Sequence, residues 1–350
     1  MLYLSADLHL TKYVWKQRKT LKGDSYRAFM RMAQQIIADP VDEPKTVILA
    51  GDVVDTRTLD GCTLAALDAG IVLLLEAGVG VLFTQGNHDI NATPHLNTLG
   101  AVHLNNKLHT CRDGHVVYGL DYRPREELHQ ALQTVPECDM LVMHGAMEHL
   151  LGFEGAYDLT LQDLPTAARS TLVGDVHITS KKEWNGGFVY SPGALHPCNI
   201  SEGNEHGYYR KPYGAEAEFV TIPTRQIHRV VIQTANDLEQ VHALVDAFPS
   251  VPEDLIPIVE IAYITDMEAD AKALRRKLAN IAVVITCVLR EAVDESTSRD
   301  AVYNQVTMLE ALDMTVCSKA EPEVYDLLSQ LVAPEASVDT ILQDFTEEKV

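Results

Sequence analysis

The chain has 350 residues, 46% of them hydrophobic and 22% charged, and its formal net charge is −22 at pH 7. This length exceeds what one hydrophobic core usually serves, so we expect two domains of a soluble globular protein. The negative charge argues against a protein that coats nucleic acid by bulk attraction, because phosphate binding rests on Lys and Arg.

The first predicted strand covers residues 1–4 and is followed by Asp7 and His9. This start is too short and too acidic for the apolar region of a signal peptide. The longest mostly apolar run, 278–289, is shorter than the roughly 18 residues that a membrane span needs. We therefore expect a cytoplasmic protein that does not enter a membrane.

A basic segment follows the first strand, since residues 12–31 hold seven Lys and Arg residues against one acid. One interpretation is a solvated helix face, because charge runs usually mean only solubility. The segment also begins beside Asp7 and His9, where a bound phosphate backbone would need cations. The predicted phosphate contacts are Lys12, Lys16, Arg18, Lys19 and Lys22.

The next elements are a helix and a second strand. Asp24 or Ser25 can cap a helix that runs to about Ala38, with apolar residues on one face at helical spacing. The strand at 46–50 then ends just before Asp52. The first part of the chain therefore predicts a strand, a helix and a strand, with an acidic residue after each strand.

A second helix, predicted near 62–77 and closed by Gly78, returns the chain to a strand at 79–84. That strand leads into Gly86-Asn87-His88-Asp89. In open α/β sheets, ligands gather outside the carboxyl ends of the strands, and right-handed crossovers place successive strand ends on one edge. This stretch is therefore a candidate functional site.

Two later predicted strands end in the same kind of residue. The strand at 140–143 precedes His144, and the strand at 171–173 precedes Asp175 and His177. Polar ligand-type residues at five separate strand ends imply a shared metal site.

The C-terminal part predicts further strands and helices. Asn185-Gly186-Gly187 predicts a hairpin turn. We expect a first domain at 1–222 that carries the metal site, a small α/β domain at 226–295, and a helical tail at 300–350.

Asp, Asn and His offer oxygen and nitrogen ligands, which suit Mn²⁺, Mg²⁺ or Fe and lack the thiolates of structural zinc sites. Asp-x-His places two side chains on one side of an extended segment, so Asp7 with His9, and Asp175 with His177, can each grip an ion. With Asp52 as a bridging carboxylate, two ions can lie roughly 4 Å apart, an arrangement that activates water for phosphoester hydrolysis. A single Asp more often caps a turn, and a single His ring is more often packed in the protein, than either binds a metal. The ordered series of Asp, Asn and His residues after five predicted strands nevertheless favours a metal site.

The six cysteines, at positions 62, 111, 138, 198, 287 and 317, lie far apart and show no zinc-like spacing. This spacing favours a reducing compartment over a disulfide framework. We interpret all six as core thiols.

The set of motifs resembles that of the calcineurin-like metallophosphoesterases, and in particular the SbcD-type nuclease subunit of SMC-like DNA repair complexes, including its phage members. Gly51-Asp52-Val53-Val54-Asp55-Thr56 is similar to that branch's GD(L/I)F(D/H) segment. Residues 190–193 and 205–209 are similar to its PG(S/A) turn and GFY-type strand, so the motifs cover 1–222. The resemblance implies an α/β fold in which a β-sandwich is flanked by helices, with a small C-terminal α/β cap and terminal helices.

The resemblance also implies how the site residues divide. His88 would protonate the leaving oxygen, and Asp89 would orient the His88 ring. The first ion would be held by Asp7, His9, Asp52 and His177, and the second by Asp52, Asn87, His144 and Asp175. The expected ions are two Mn²⁺, with Mg²⁺ as the alternative.

Two positions depart from the family pattern. The last motif of the family is usually GHxH, whereas here Asp175 stands at the position of the first His. A carboxylate in place of the imidazole is still a metal ligand, and it favours harder ions. Asp55 stands where some members have a His that is linked to exonuclease action.

The first interpretation of the whole chain is a Mn²⁺-dependent DNA nuclease subunit, with exonuclease or endonuclease action. It would work with an SbcC-like SMC-type ATPase in DNA repair or recombination, form a homodimer, and dock its C-terminal helices on that partner. A phage-encoded chain would work in the host cytoplasm. The alternatives are a stand-alone phosphodiesterase or phosphatase acting on a small molecule or protein, and a non-catalytic scaffold.

Overall fold

The structure is a computed structural model and describes residues 1–10, 23–150, 157–200, 202–246, 248, 251–279 and 281–289. The chain divides into two compact units. The first unit comprises Met1–His228, Pro249–Val259 and Ile281–Val283, and the second comprises Arg229–Phe248, Glu260–Asn280 and Val284–Val350. The domain limits 1–222 and 226–295 stay predictions, and the predicted tail at 300–350 lies outside the described residues.

Strands and α-helices alternate in the described residues up to the fourth strand, and the later part of the chain holds a long run of successive strands. The strands are β1 Leu2–Ser5, β2 Thr46–Ala50, β3 Gly80–Thr84, β4 Val102–His103, β5 Lys107–Thr110, β6 Val116–Gly119, β7 Cys138–His144, β8 Ala168–Gly174, β9 Ser180–Trp184, β10 Gly187–Ser191, β11 Gly207–Lys211, β12 Glu218–Thr221, β13 Ile227–Ile232, β14 Ile258–Tyr263 and β15 Val283–Val288. The α-helices are α1 Asp24–Ala38, α2 Gly61–Glu76, α3 Thr93–Leu99, α4 Arg125–Leu132, α5 Ala235–Asp246 and α6 Glu268–Leu278.

Two six-stranded sheets form the first unit, in the orders β12-β11-β1-β2-β3-β4 and β5-β6-β7-β8-β10-β9. In the first sheet β1, β2, β3 and β4 are parallel, and in the second β6, β7, β8 and β10 are parallel. Parallel strands point their carboxyl ends to one edge of a sheet. Together with the flanking helices, this arrangement confirms the predicted mixed α/β fold with two large sheets.

Side chains on the two faces of a strand pack into two different hydrophobic cores. In β2, Ile48 belongs to a cluster that draws on both sheets, whereas Val47 packs in a cluster with Phe29 of α1 and Leu67 of α2. In β7, Met140 joins the cluster between the sheets, and its neighbours pack in a third cluster with residues of α4. Strands covered on both faces read as continuous apolar runs, which is why the runs before the site were recognisable in the sequence.

The first two helices begin differently from one another. Gly23, with φ 90°, precedes α1, and no side chain caps this helix, so the predicted capping by Asp24 or Ser25 is wrong. The Asp24 carboxylate instead accepts from Arg27 at 3.1 Å and from Arg225 at 2.7 Å. At α2 the Asp60 carboxylate accepts from the backbone N–H of the third residue into the helix, at 2.8 Å.

The predicted hairpin turn is confirmed, because Asn185 at φ 48° and Gly186 at φ 74° join the antiparallel strands β9 and β10. The sequence interpretation missed α3, β5 and β9. The strands β13, β14 and β15 form a three-stranded sheet in that order. Strands were predicted in this part of the chain. Among the described residues, no helix combines the length and the apolar character needed to cross a lipid bilayer.

Candidate metal centre

The carboxyl ends of strands from both sheets bring the predicted ligands together. His144, the last residue of β7, places Nδ1 2.9 Å from the carbonyl oxygen of Ala50 at the end of β2. Asp7, with a fully buried carboxylate, accepts from the backbone N–H of Asp175 at 3.0 Å and 3.1 Å. The strand ends of the two sheets therefore meet in one buried, polar group of side chains.

Several of these residues lie in the left-handed backbone region, with φ 50° at Asp7, 42° at His9, 50° at Asp52 and 99° at Asp175. The expectation that Asp-x-His grips an ion as an extended strand segment is therefore wrong, because β1 ends at Ser5. Left-handed non-glycine residues cost roughly 1–3 kcal/mol each and persist where their surroundings hold them. Here the backbone N–H of His9 donates to the carbonyl of Asp52 at 2.9 Å, so the two strained turns support each other.

The positions of Gly51 and Gly86 beside these turns leave no space for a side chain. A Cβ on Gly86 would lie 2.2 Å from Oδ1 of Asp52, and a Cβ on Gly51 would lie 2.3 Å from Nδ1 of His144. Gly51 also has a φ of 79°, a backbone conformation that residues with a side chain rarely adopt. These two glycines let the backbone pass directly against the Asp52 and His144 side chains.

One set of candidate ligands surrounds one oxygen of Asp52. Nε2 of His144 lies 3.5 Å from Oδ1 of Asp52 and 3.5 Å from Oδ1 of Asp175. One terminal atom of the Asn87 amide lies 3.1 Å and 3.2 Å from the Asp52 carboxylate oxygens and 3.3 Å from Nε2 of His144. The amide nitrogen donates to these atoms when it takes this place, and with the amide turned its oxygen would join Asp52 and His144 as a ligand of a shared cation.

A second set faces the other oxygen of Asp52. Nε2 of His9 lies 3.6 Å from Oδ2 of Asp52 and 3.0 Å from Nε2 of His177. The opposite ring nitrogens face carboxylates, since Nδ1 of His9 is 3.2 Å from Asp55 and Nδ1 of His177 is 2.6 Å from Glu202. Imidazoles that ligate metals usually donate their other N–H to a carboxylate, which leaves a lone pair on the inward nitrogen. Two such lone pairs facing each other at this distance fit a cation.

Within the described residues, two groups have ligand atoms that all lie within 4.8 Å of one another. They are Asp7, Asp52 and His144, and His9, His177 and Cys198. Asp52 directs one oxygen at each group, as a bridging carboxylate would. The donor set therefore fits two ions, and the oxygen-rich group favours hard cations such as Mn²⁺ or Mg²⁺.

Burial and the neighbouring charges set the ionisation of this group. Burial raises the pKa of Asp7 to about 6. Burial opposes ionisation of Asp52, but the hydrogen bond and charge of His144 outweigh it and lower the pKa of Asp52. Burial also disfavours charge on His144, yet hydrogen bonds to Asp175 and Asp52 raise its pKa well above the ordinary value. A proton on His144 thus offsets part of the negative charge of the neighbouring carboxylates. A bound cation can replace this proton and offset the same charge.

His88 lies at the edge of this centre with 37% of its side chain exposed. Its Nδ1 is 2.6 Å from the backbone carbonyl of Asp55, and its Nε2 is 3.8 Å from Oδ2 of Asp52. The predicted role of Asp89 as the residue that orients the His88 ring is wrong. Asp89 is fully buried, and its carboxylate instead accepts from the backbone N–H groups of Gly86 at 2.9 Å and Val54 at 3.0 Å.

The predicted phosphate contacts Lys12, Lys16, Arg18, Lys19 and Lys22 lie outside the described residues. Two other cations of the basic segment are described and paired, Arg27 with Asp24 and Arg31 with Asp254.

Sequence reasoning missed three residues of the centre. Asp55 was noted only as a departure from a family pattern, Glu202 was not noticed, and Cys198 was taken for a core thiol. Cys111, Cys138 and Cys198 are buried, as predicted for core thiols, but Cys62 is exposed and the prediction is wrong there; Cys317 lies outside the described residues. A carboxylate that supports a histidine 25 positions away, as Glu202 supports His177, leaves no local pattern in the sequence.

Oxygen and nitrogen donors at the strand ends of a two-sheet α/β fold are typical of a two-metal phosphoesterase centre. Residues 2–187 match the family model described as calcineurin-like phosphoesterase. The chain belongs to this family, which confirms the predicted family and fold.

The proteins to which the chain is similar include two DNA repair proteins and one solved structure. A DNA double-strand break repair protein Mre11 from Haloferax volcanii is 27% identical over 249 residues, which cover 67% of this chain and 56% of that protein. The Mre11 protein of Sulfurisphaera tokodaii is 23% identical over 264 residues, covering 68% of this chain and 67% of that protein. A crystal structure of phosphopantetheinyl hydrolase from Mycobacterium tuberculosis covers 55% of this chain and 89% of its own, with a TM-score of 0.36 and 14% identity. The match thus spans little more than half the length of the Haloferax relative.

Proposed function

We propose that the chain is a two-metal-dependent DNA nuclease subunit of the SbcD type, which hydrolyses phosphodiester bonds in DNA repair, recombination or end processing. The observation that carries this proposal is the position of Asp52, whose two oxygens face separate ligand groups at 3.5 Å and 3.6 Å. The proposal of DNA as the substrate is supported by the two relatives named as DNA double-strand break repair proteins.

The assignment of ligands follows the resemblance, whereas in the structure the Asp7 carboxylate groups with Asp52 and His144. Asp7, His9, Asp52 and His177 serve the first ion, and Asp52, Asn87, His144 and Asp175 serve the second. Two Mn²⁺ ions, or Mg²⁺ ions, would supply the positive charge that makes water a better nucleophile and that stabilises the charge developing on a phosphodiester during hydrolysis. Glu202 hydrogen-bonds to Nδ1 of His177, and the Asp55 carboxylate lies 3.2 Å from Nδ1 of His9, so Nε2 of each ring would be the nitrogen offered to the ion.

His88 handles the proton of the leaving group. Its Nδ1–H donates to the Asp55 carbonyl, so Nε2 is the nitrogen that faces solvent and the centre. The doubly protonated ring can pass its Nε2 proton to the leaving oxygen of the cleaved strand, and the neutral ring then keeps its hydrogen on Nδ1 at the Asp55 carbonyl. The backbone N–H of His88 donates to Oδ1 of Asp52 at 3.2 Å, which fixes the residue beside the bridging carboxylate.

Arg57 supplies a cation at the rim of the centre. Its Nε donates to the backbone carbonyl of Asn87 at 3.3 Å, and the residue is exposed. A guanidinium anchored through Nε still presents its two terminal amino groups, which match the oxygens of a phosphate. Arg57 therefore suits the DNA backbone next to the cleaved bond, in a chain whose net charge of −22 otherwise repels it.

The partner is an SbcC-like SMC-type ATPase, and the chain acts as a homodimer. The segments proposed for these contacts and for phosphate binding, 300–350 and the five basic residues of 12–22, lie outside the described residues. Their roles are supported by the family resemblance and by composition.

The test compares single-stranded DNA, double-stranded DNA and a small chromogenic phosphodiester as substrates of the purified chain with Mn²⁺. We expect both DNA cutting and chelator sensitivity, and His88→Ala should lower turnover by about 100-fold or more while Mn²⁺ binding measured by calorimetry is unchanged. Cleavage of the small phosphodiester without any DNA cutting would support a stand-alone phosphodiesterase instead. Near-normal turnover of His88→Ala would remove His88 from the mechanism.

A further inference from the structure

Cys198 lies beside His9 and His177, two of the ligands proposed for the first ion, although its spacing from the other cysteines predicts only a core thiol. Its sulfur and one ring nitrogen each of His9 and His177 all lie within 4.8 Å of one another. Cys198 is 4% exposed and His9 is 3% exposed. Two imidazoles and a thiol thus form a donor group in which His9 and Cys198 are buried, while 21% of the His177 side chain is exposed.

Glu202 ties the cysteine to this group. One oxygen of Glu202 lies 2.6 Å from Nδ1 of His177, and the other accepts from the backbone N–H of Cys198 at 2.6 Å. The carboxylate that aims the His177 ring therefore also fixes the backbone from which the Cys198 side chain extends. The inward nitrogens of His9 and His177 face each other at 3.0 Å, and the sulfur lies within 4.8 Å of one ring nitrogen of each histidine.

We propose that the Cys198 sulfur is a further ligand of the first ion. On binding, the S–H bond breaks, the sulfur keeps the electron pair and gives it to the cation, and the proton moves to Nε2 of His196. That nitrogen lies 3.6 Å from the sulfur. Nδ1 of His196 lies 3.1 Å from the carbonyl oxygen of Pro197, to which it donates, so Nε2 presents a lone pair to the thiol.

A thiolate makes the first ion site softer than the second, which has only oxygen and imidazole ligands. Soft thiolate ligands favour Zn²⁺, Co²⁺ and Fe²⁺ over Mn²⁺ and Mg²⁺. The two sites are therefore unequal, and a mixed metal content is expected when several ions are present. This inference rests on the proposed metal centre and is independent of DNA as the substrate.

The test measures ligation directly on the full chain, without DNA. Bound Co²⁺ should give a sulfur-to-cobalt charge-transfer band in the near ultraviolet, and X-ray absorption of the Zn²⁺ form should show a sulfur at about 2.3 Å. Cys198→Ser should lose both signals and weaken Zn²⁺ binding by about tenfold or more, with a smaller effect on Mn²⁺. Cys111→Ser is the matched control, since Cys111 is also 4% exposed but interacts with Thr46 at the start of β2, the opposite end of that strand from Asp52.

Bound metal with only nitrogen and oxygen neighbours in the natural chain would overturn this proposal, whatever the behaviour of the variants. It would leave the nuclease proposal intact, because the oxygen and imidazole ligands would still hold both ions. Failure of the natural chain to bind Co²⁺, Zn²⁺ or Mn²⁺ at all would overturn both proposals together.

Discussion

Glu202→Gln is the most informative single change outside the candidate ligands, because it keeps the size of the side chain and removes only its charge. The Glu202 carboxylate is 9% exposed and accepts from two donors, Nδ1–H of His177 and the backbone N–H of Cys198, both at 2.6 Å. A glutamine offers one acceptor oxygen, so its amino group must face one of these donors.

Either way of relieving that conflict weakens the metal site. If the amino group faces the backbone N–H of Cys198, a buried donor is left unsatisfied, at a cost of about 1–3 kcal/mol. If it faces His177, the ring relieves the conflict by moving its hydrogen to Nε2, the nitrogen that faces the ion. Changes to residues that support metal ligands typically cost 10–100-fold in affinity, which is about 1.4–2.7 kcal/mol.

Calorimetric titration of Mn²⁺ into the purified protein measures this effect. We expect a 10–100-fold weaker first ion for Glu202→Gln and an unchanged affinity for Glu205→Gln, since Glu205 is exposed and close in sequence. Thermal unfolding without metal shows whether the variant is folded. A folded Glu202→Gln protein with normal Mn²⁺ affinity would refute the role that we give to Glu202 and to the orientation of His177.

Three further predictions concern the second ion, the packing of the site and its pH dependence. Asp175→Ala should lose one of two Mn²⁺ ions and Asp175→His should restore it; anomalous scattering that still shows two full ions in Asp175→Ala would exclude Asp175 as a ligand. Gly86→Ala should lower the free energy of unfolding by about 1–3 kcal/mol, because its Cβ would meet Asp52 at 2.2 Å, whereas Gly203→Ala, with open space around it, should have little effect in the same denaturant titration. Burial raises the pKa of Asp7 to about 6, so Mn²⁺ must displace a proton from this carboxylate below that pH. Mn²⁺ affinity should then fall by about tenfold per pH unit from this group as pH drops below about 6, and a constant affinity between about pH 7 and pH 5 would contradict this assignment.

The sequence by itself determined the buried strands and most candidate ligands, whereas the sandwich of two sheets was implied only by the family resemblance. Strands buried on both faces must be apolar throughout, so β1, β2, β3, β7 and β8 stood out as runs that end in polar residues. Because parallel strands share the direction of their carboxyl ends, those residues could be assigned to one site before any contact was known. The roles of individual ligands stay predictions, but their convergence followed from local pattern and sheet geometry alone.

Only the tertiary structure decided how those side chains are held. The turns at Asp7, His9 and Asp52 are left-handed, and they are stabilised by one another across two strands, which no local propensity encodes. Contacts between positions far apart in the chain likewise assign the supports, with the Asp55 carbonyl at His88 and the Glu202 carboxylate at His177. Cys198 shows the same limit, since a buried thiol in the core and a buried thiol beside two histidines look identical in a sequence until the fold brings the histidines to it.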